Sequence, residues 1–81
     1  MSAARARLPD NLSRLLRSEL ERAIYEAALY RDDDLIARRY LVDKWPQIDI
    51  AAELGWERST VSRHLPMILH TVSAVSDRLF T

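Results

Sequence analysis

Apolar residues recur every three or four positions through the first third of the chain. The stripe comprises Leu12, Leu15, Leu16, Leu20, Ala23, Ile24, Ala27 and Ala28. This spacing predicts one amphipathic helix of about five turns. Asp10 or Asn11 can cap its start, and Arg31 lies where a basic residue favours its negative end. Residues 1–10 are predicted to form a flexible arm before this helix.

Three aspartates, residues 32–34, precede a second helical segment. Its short apolar face consists of Leu35, Ile36, Tyr40 and Leu41. One aspartate is expected to cap the helix, and the others favour its positive end. A magnesium site is the alternative explanation of the triplet, but the cap accounts for it without a metal. The helix should end by Trp45, because Pro46 disfavours α geometry in the residue before it.

The remaining chain predicts three further helices. Pro46 suits the opening of the first of them. Gly55, the only glycine of the chain, follows where a left-handed residue is needed to end it. The next helix is predicted to begin near Ser59, and Pro66 should end or kink it. Apolar residues from Met67 to Leu79 then form the stripe of a last amphipathic helix.

The composition supports an all-α fold and excludes several function classes. The 81 residues are the length of one domain, and they contain one glycine and no cysteine. One glycine argues against hairpins and P-loops, while the absence of cysteine excludes disulfides and Cys-based zinc sites. No apolar run approaches the roughly 20 residues of a membrane helix, so a cytoplasmic location is the default. We predict a single helical domain over residues 11–81, with about five helices and long N-terminal and C-terminal helices.

The charge distribution is uneven although the formal net charge is zero. Residues 1–31 contain six arginines and four acidic residues, residues 32–55 contain three basic and six acidic residues, and residues 56–81 contain three arginines and two acidic residues. A zero net charge argues against tight non-specific binding to nucleic acid. A local basic face is still allowed at either end, because the acidic excess lies in the middle.

Residues 47–65 contain the combination that a helix-turn-helix requires. Two short helices that cross at about 90–120° need a small residue where they meet, and Ala51 provides it. Four positions later, Gly55 tolerates the positive φ of the turn. Six positions after the glycine, Val61 can seal the inner face of the second helix. The outward and leading surface of that helix is then polar and consists of Arg58, Ser59, Thr60, Ser62 and Arg63.

This segment resembles the helix-turn-helix of bacterial and phage transcription regulators, and most of all region 4 of sigma-70 factors and the small sigma-like phage regulators. The matching stretches lie within residues 35–70 and are Arg39-Tyr40-Leu41, Ile50-Ala51-Ala52-Glu53-Leu54-Gly55 and Ser59-Thr60-Val61-Ser62-Arg63-His64-Leu65. Two positions depart from the pattern. Glu57 stands where the family usually has a capping Ser or Thr, so that Ser59 is an alternative cap. Pro66 interrupts the helix where the family often continues with basic residues, and both departures imply a short recognition helix.

The resemblance implies sequence-specific binding of double-stranded DNA in transcription regulation. In this family the N-terminal residues of the recognition helix face base edges in the major groove. Arg58 and Arg63 are then the candidates for bidentate donation to guanine O6 and N7. The other candidate DNA contacts, to phosphates or base edges, are Ser59, Thr60, Ser62 and Gln47, with Lys44 and His64 as weaker phosphate candidates.

Two hypotheses about partners remain open. One short recognition helix buries little surface, so we expect a homodimer on half-sites about one DNA turn apart. Met67, Ile68 and Leu79 are candidates for a dimer seam. The alternative function is a sigma-like adaptor that binds RNA polymerase or another regulatory protein and has little DNA affinity of its own. The zero net charge and the acidic middle favour this adaptor.

Enzyme activity, metals and cofactors are not expected. A serine hydrolase needs a positioned Ser-His pair with an orienting acid, and neither Ser62 nor Ser73 has such partners at a meaningful spacing. His64 and His70 lie about 120° apart around a helix, whereas a two-histidine metal face uses i, i+4 spacing.

Overall fold

The computed structural model describes residues 8–80, and all regular structure in that range is helical. The helices are α1 (Asp10–Ser13), α2 (Arg17–Ala27), α3 (Arg31–Ala37), α4 (Gln47–Leu54) and α5 (Arg58–Phe80), and a π-helical turn (Arg38–Val42) continues α3. The predicted all-α class, with five α-helices and a long C-terminal helix, is confirmed. Most of the arm predicted over residues 1–10 lies outside the described residues.

The single N-terminal helix predicted from the periodicity is wrong, because the structure divides it. Leu16, between α1 and α2, has an extended backbone with φ −71° and ψ 161°. Its N–H donates a hydrogen bond of 2.8 Å to Glu19 Oε1, which fixes the start of α2. α2 ends at Ala28, which adopts the left-handed conformation with φ 52° and ψ 48°. Arg31 therefore begins α3 and does not close the first helix.

The predicted side-chain caps are also wrong. Asp10 and Asn11 are the first two residues of α1. The aspartates 32–34 lie inside the first turn of α3, where they make no cap hydrogen bond but still favour the positive helix end. α5 begins at Arg58, so that Ser59 is already helical. These helix starts are set by packing and by backbone hydrogen bonds more than by side-chain caps.

The turn between α4 and α5 agrees with the prediction. Pro46 directly precedes α4, and Gly55 directly follows it in the left-handed conformation with φ 73°. The Trp56 N–H donates to the Ala51 carbonyl at 2.8 Å and closes the turn. Ala51 and Val61 are both buried, with 3% and 0% of their surface exposed. The small residue, the glycine and the inward valine therefore occupy the places that their spacing indicates.

Pro66 does not end the helix that contains it, and the predicted short recognition helix is wrong. α5 runs without interruption through Pro66 to Phe80. Proline has no N–H, so the Ser62 carbonyl lacks its usual i+4 donor. The proline ring lies on the exposed side, while Leu65 and Ile68 on either side of it are buried. Burial of the flanking turns holds the helix together across the missing hydrogen bond.

α5 is the central element of the core and contacts α1, α2, α3 and α4. The largest fully buried side chains are Leu12, Ile24, Ile36, Leu41, Ile50, Val61, Leu65, Ile68 and Val72. The apolar stripes of α2 and α5 thus cover each other within one chain. Ile68 cannot belong to an exposed seam, although Met67 is 74% exposed. Within the described range, no helix combines the length and the hydropathy that crossing a membrane requires.

Candidate nucleic-acid interface

The first two turns of α5 carry a polar face directed away from the core. Val61 and Leu65 are fully buried, so the residues on the opposite side of these turns lie outward. Arg58, Ser59 and Arg63 are exposed, whereas Thr60 and Ser62 are half-buried. We define the α4–α5 face as these residues together with Gln47 at the start of α4. It consists of Gln47, Arg58, Ser59, Thr60, Ser62 and Arg63.

The two arginines of this face are free of carboxylate partners. Neither Arg58 nor Arg63 forms an ion pair with any residue in the range 8–80. The one described contact of either guanidinium is from Arg58 Nη1 to Ser62 Oγ, at 3.4 Å. Five helical positions separate the arginines by about 7.5 Å along the axis and about 140° around it. Because they lie on different sides of the helix, they can donate hydrogen bonds to two separate groups of a ligand placed against the start of α5.

Ser62 connects α5 to α4 and to Arg58. Its hydroxyl donates to Gln47 Oε1 and accepts from Arg58 Nη1. Gln47 and Ser62, 15 residues apart, were predicted as separate DNA contacts. The structure brings them together, and it commits the only hydroxyl proton of Ser62 to a bond within the protein.

His64 is bound to the first turn of α3. Its Nδ1 lies 2.8 Å from Asp33 Oδ1, and its ring centroid lies 5.0 Å from that of Trp56. Only Nε2 is left for the phosphate contact considered for His64. The neighbouring Asp34 pairs with Arg38 at 2.8 Å, so two of the three aspartates have partners inside the protein. No sequence signal indicated the Asp33–His64 pair, since the two residues are 31 positions apart.

Arg39 organises the link that leads into α4. Its guanidinium donates to Glu53 at 3.0 and 3.3 Å and to Asp43 at 2.9 Å, and it lies 4.7 Å from the centroid of the Trp45 ring. The Trp45 N–H returns a hydrogen bond of 2.8 Å to the Arg39 carbonyl. The pKa of Arg39 is raised above its ordinary value, first by the bond to Glu53 and then by the bond to Asp43. The i, i+4 spacing to Asp43 was the one signal of this cluster in the sequence.

Lys44 lies in the same link and is exposed. Its backbone is left-handed with φ 64°, which is uncommon for a residue other than glycine. It forms no ion pair within residues 8–80. Its ammonium is therefore available near the start of α4, as the weaker phosphate role requires.

Comparisons of the chain with models of known families, with curated proteins and with solved structures gave no match. The geometry of the α4–α5 face and the local pattern of residues 47–65 are therefore the features that bear on function.

Proposed function

We propose that this protein is a transcription regulator that binds double-stranded DNA sequence-specifically, with α4, the turn at Gly55 and α5 acting as a helix-turn-helix. The proposal depends on the exposure of Arg58 and Arg63 and on their lack of carboxylate partners among the described residues. Both are exposed on the first turns of α5, and neither has a carboxylate partner within residues 8–80. Unpaired arginines on the leading edge of such a helix suit guanine and phosphate recognition.

Pairing of the nearby acids supports the same function. Glu53 and Asp43 in the acidic middle of the chain are both bound to Arg39. Asp43 also lies 3.6 Å from Arg17 Nη2, so two arginines face these two carboxylates and a zero net charge is compatible with a locally positive edge. Glu57, which is exposed beside Arg58, weakens that edge. We therefore expect moderate affinity that depends on base contacts more than on phosphate attraction.

The spacing of the arginines indicates what the protein reads. In the proposed complex the start of α5 enters the major groove, and each arginine donates to guanine O6 and N7. They begin about 7.5 Å apart along the helix axis and about 140° apart around it, so they reach different base pairs. We expect a preferred site with two separate G·C pairs. The resemblance of residues 35–70 to region 4 of sigma-70 factors supports this docking mode.

The deciding experiment is selection of bound sequences from a random pool of duplex oligonucleotides at two salt concentrations. A specific reader enriches one motif and loses affinity as salt rises. Arg63→Ala should leave the circular dichroism spectrum and Tm unchanged and remove the preference at one G·C pair. Arg22→Ala, which removes an exposed arginine of α2, is the matched control and should keep the full motif. Equal binding of enriched and scrambled duplexes by the unmodified chain would refute the proposal.

Two exposed tyrosines favour the adaptor as a second candidate. Tyr25 and Tyr30, at the turn between α2 and α3, are 74% and 88% exposed. Tyrosine is enriched in protein–protein interfaces. An adaptor should bind purified RNA polymerase without DNA, and Tyr30→Ala should weaken that binding. It should also enrich no duplex in the selection, so that one pair of assays separates the two candidates.

A further inference from the structure

We infer that Ser62 is a positioning residue: its hydroxyl orients Arg58 and thereby sets the base preference at the pair that Arg58 reads, without contacting DNA itself. This inference rests on the proposed function and deepens it. It separates the residues of the α4–α5 face that contact bases from the residues that hold those side chains in position.

The direction of the hydrogen bonds follows from their chemistry. A guanidinium only donates, and the Oε1 of a glutamine only accepts, so the hydroxyl between them must accept from Arg58 and donate to Gln47. The order Arg58, Ser62, Gln47 is therefore fixed. The hydroxyl has no second proton to give to a phosphate or to a base acceptor.

The position of Ser62 also suits a supporting role. Its side chain is half-buried between α4 and α5, whereas Arg58 one turn earlier is exposed. A free arginine side chain loses rotamer entropy when it is fixed, and one existing contact reduces that loss on binding. Arg58 keeps its other N–H donors for the two acceptors of guanine. Ser62 therefore acts on one arginine through a contact that exists before DNA arrives.

Arg63 provides an internal control within the same helix. It is adjacent to Ser62 in sequence, yet it has no described contact with Ser62 or with Gln47. A substitution that removes only the positioning effect should change the preference at the pair read by Arg58 and leave the pair read by Arg63 unchanged. A general disturbance of α5 should weaken both preferences.

The test measures affinity by fluorescence anisotropy for the enriched duplex and for duplexes altered at one base pair at a time. Arg58→Ala and Arg63→Ala first identify the pair that each arginine reads. Ser62→Ala should then reduce discrimination at the Arg58 pair by about tenfold, within the range of one bidentate contact, and change it less than about twofold at the Arg63 pair. Ser62→Thr, which keeps the hydroxyl, should restore the discrimination. Gln47→Ala should repeat the Ser62→Ala pattern.

Two comparisons complete the design. In the Arg58→Ala background, Ser62→Ala should have no further effect on discrimination, because the two residues act as a unit. Ser18→Ala deletes an exposed hydroxyl on α2 and should leave both preferences intact.

The outcomes separate this inference from the proposed function. If Ser62→Ala weakens all duplexes equally, Ser62 contacts phosphate or merely holds the helices, and the inference is overturned while DNA recognition stands. If Ser62→Ala acts at both pairs or remains additive with Arg58→Ala, the inference is likewise overturned. If the unmodified chain enriches no duplex, the proposed function and the inference fall together.

Discussion

Two opposite substitutions measure how much the left-handed conformation of a non-glycine residue lowers the stability of this fold. Three residues have positive φ in the described range, at Ala28 (52°), Lys44 (64°) and Gly55 (73°). Only one of them is the residue type that adopts this conformation without a steric penalty. Gly55→Ala introduces the penalty after α4, and Ala28→Gly removes it after α2.

The expected magnitude is almost entirely conformational. A Cβ added at Gly55 meets no heavy atom within 4 Å, so the new methyl group neither clashes nor packs. Ala28 is exposed, so its methyl group contributes little burial. The left-handed conformation costs a non-glycine residue roughly 1–2 kcal/mol, part of which is offset because alanine also restricts the unfolded chain. We expect Gly55→Ala to destabilise the fold by about 1 kcal/mol and Ala28→Gly to stabilise it by a similar amount.

Urea unfolding followed by circular dichroism at 222 nm tests this expectation. For a domain of this size, about 1 kcal/mol also shifts Tm by roughly 4–8 °C. The m-values should not change, since neither substitution alters the surface exposed on unfolding. The double variant should lie near the unmodified protein, because the two residues end different helices. A neutral Gly55→Ala, or a destabilising Ala28→Gly, would refute the reasoning and would require that helix contacts relax around these turns.

Three further experiments test the interactions that hold the helices in place. Pro66→Ala should restore a helix-interior N–H and stabilise the protein by about 1–3 kcal/mol, seen as a higher Tm; an unchanged or lower Tm would contradict this. A double-mutant cycle of Asp33→Ala and His64→Ala should give a coupling of about 0.2–1 kcal/mol in urea unfolding, with a change in Trp56 emission only when His64 is removed; zero coupling would contradict the pair. Arg39→Lys should lower Tm, because a single ammonium cannot replace the planar fork that bridges two carboxylates; an equal Tm would show that the cluster does not stabilise the link.

The parts of the fold that sequence could predict are those fixed by local chemistry. Pro46 and Gly55 bound α4 as their backbone preferences indicate. Ala51 and Val61 are buried because the spacing places them on the inner faces of their helices. The same periodicity places Arg63 on the polar side of α5. Arg58 lies three positions before the buried Val61 and is exposed at the first position of the helix. Its contact with Ser62 was not predictable from the sequence.

The errors arise where packing outweighs local preference. Ala28 is a strong helix former in a left-handed conformation, and nothing in its neighbourhood marks the end of a helix. Pro66 is the opposite case, a helix breaker that lies inside α5 because Leu65 and Ile68 are buried beside it. The bond between Asp33 and His64 joins distant segments and has no periodic signature. Each of these features depends on contacts between helices, which a single sequence does not display.

The dependence of affinity on salt connects the charge of the α4–α5 face to the number of chains on DNA. Near the proposed contact one chain offers three unpaired cations, Lys44, Arg58 and Arg63. Even if all three also neutralised phosphates, the slope of log K against log salt would be no steeper than about −2.7 for one chain, a fall in affinity of about 40-fold between 50 and 200 mM salt. A homodimer doubles the exponent, so the fall becomes about 2,000-fold. Because the stripes of α2 and α5 are already buried, a second copy would have to use another surface. With Arg58 and Arg63 on bases and Lys44 on phosphate, one chain should give a slope between about −1 and −2.7, and a slope steeper than about −2.7 would show that further cations or a second chain contact the DNA.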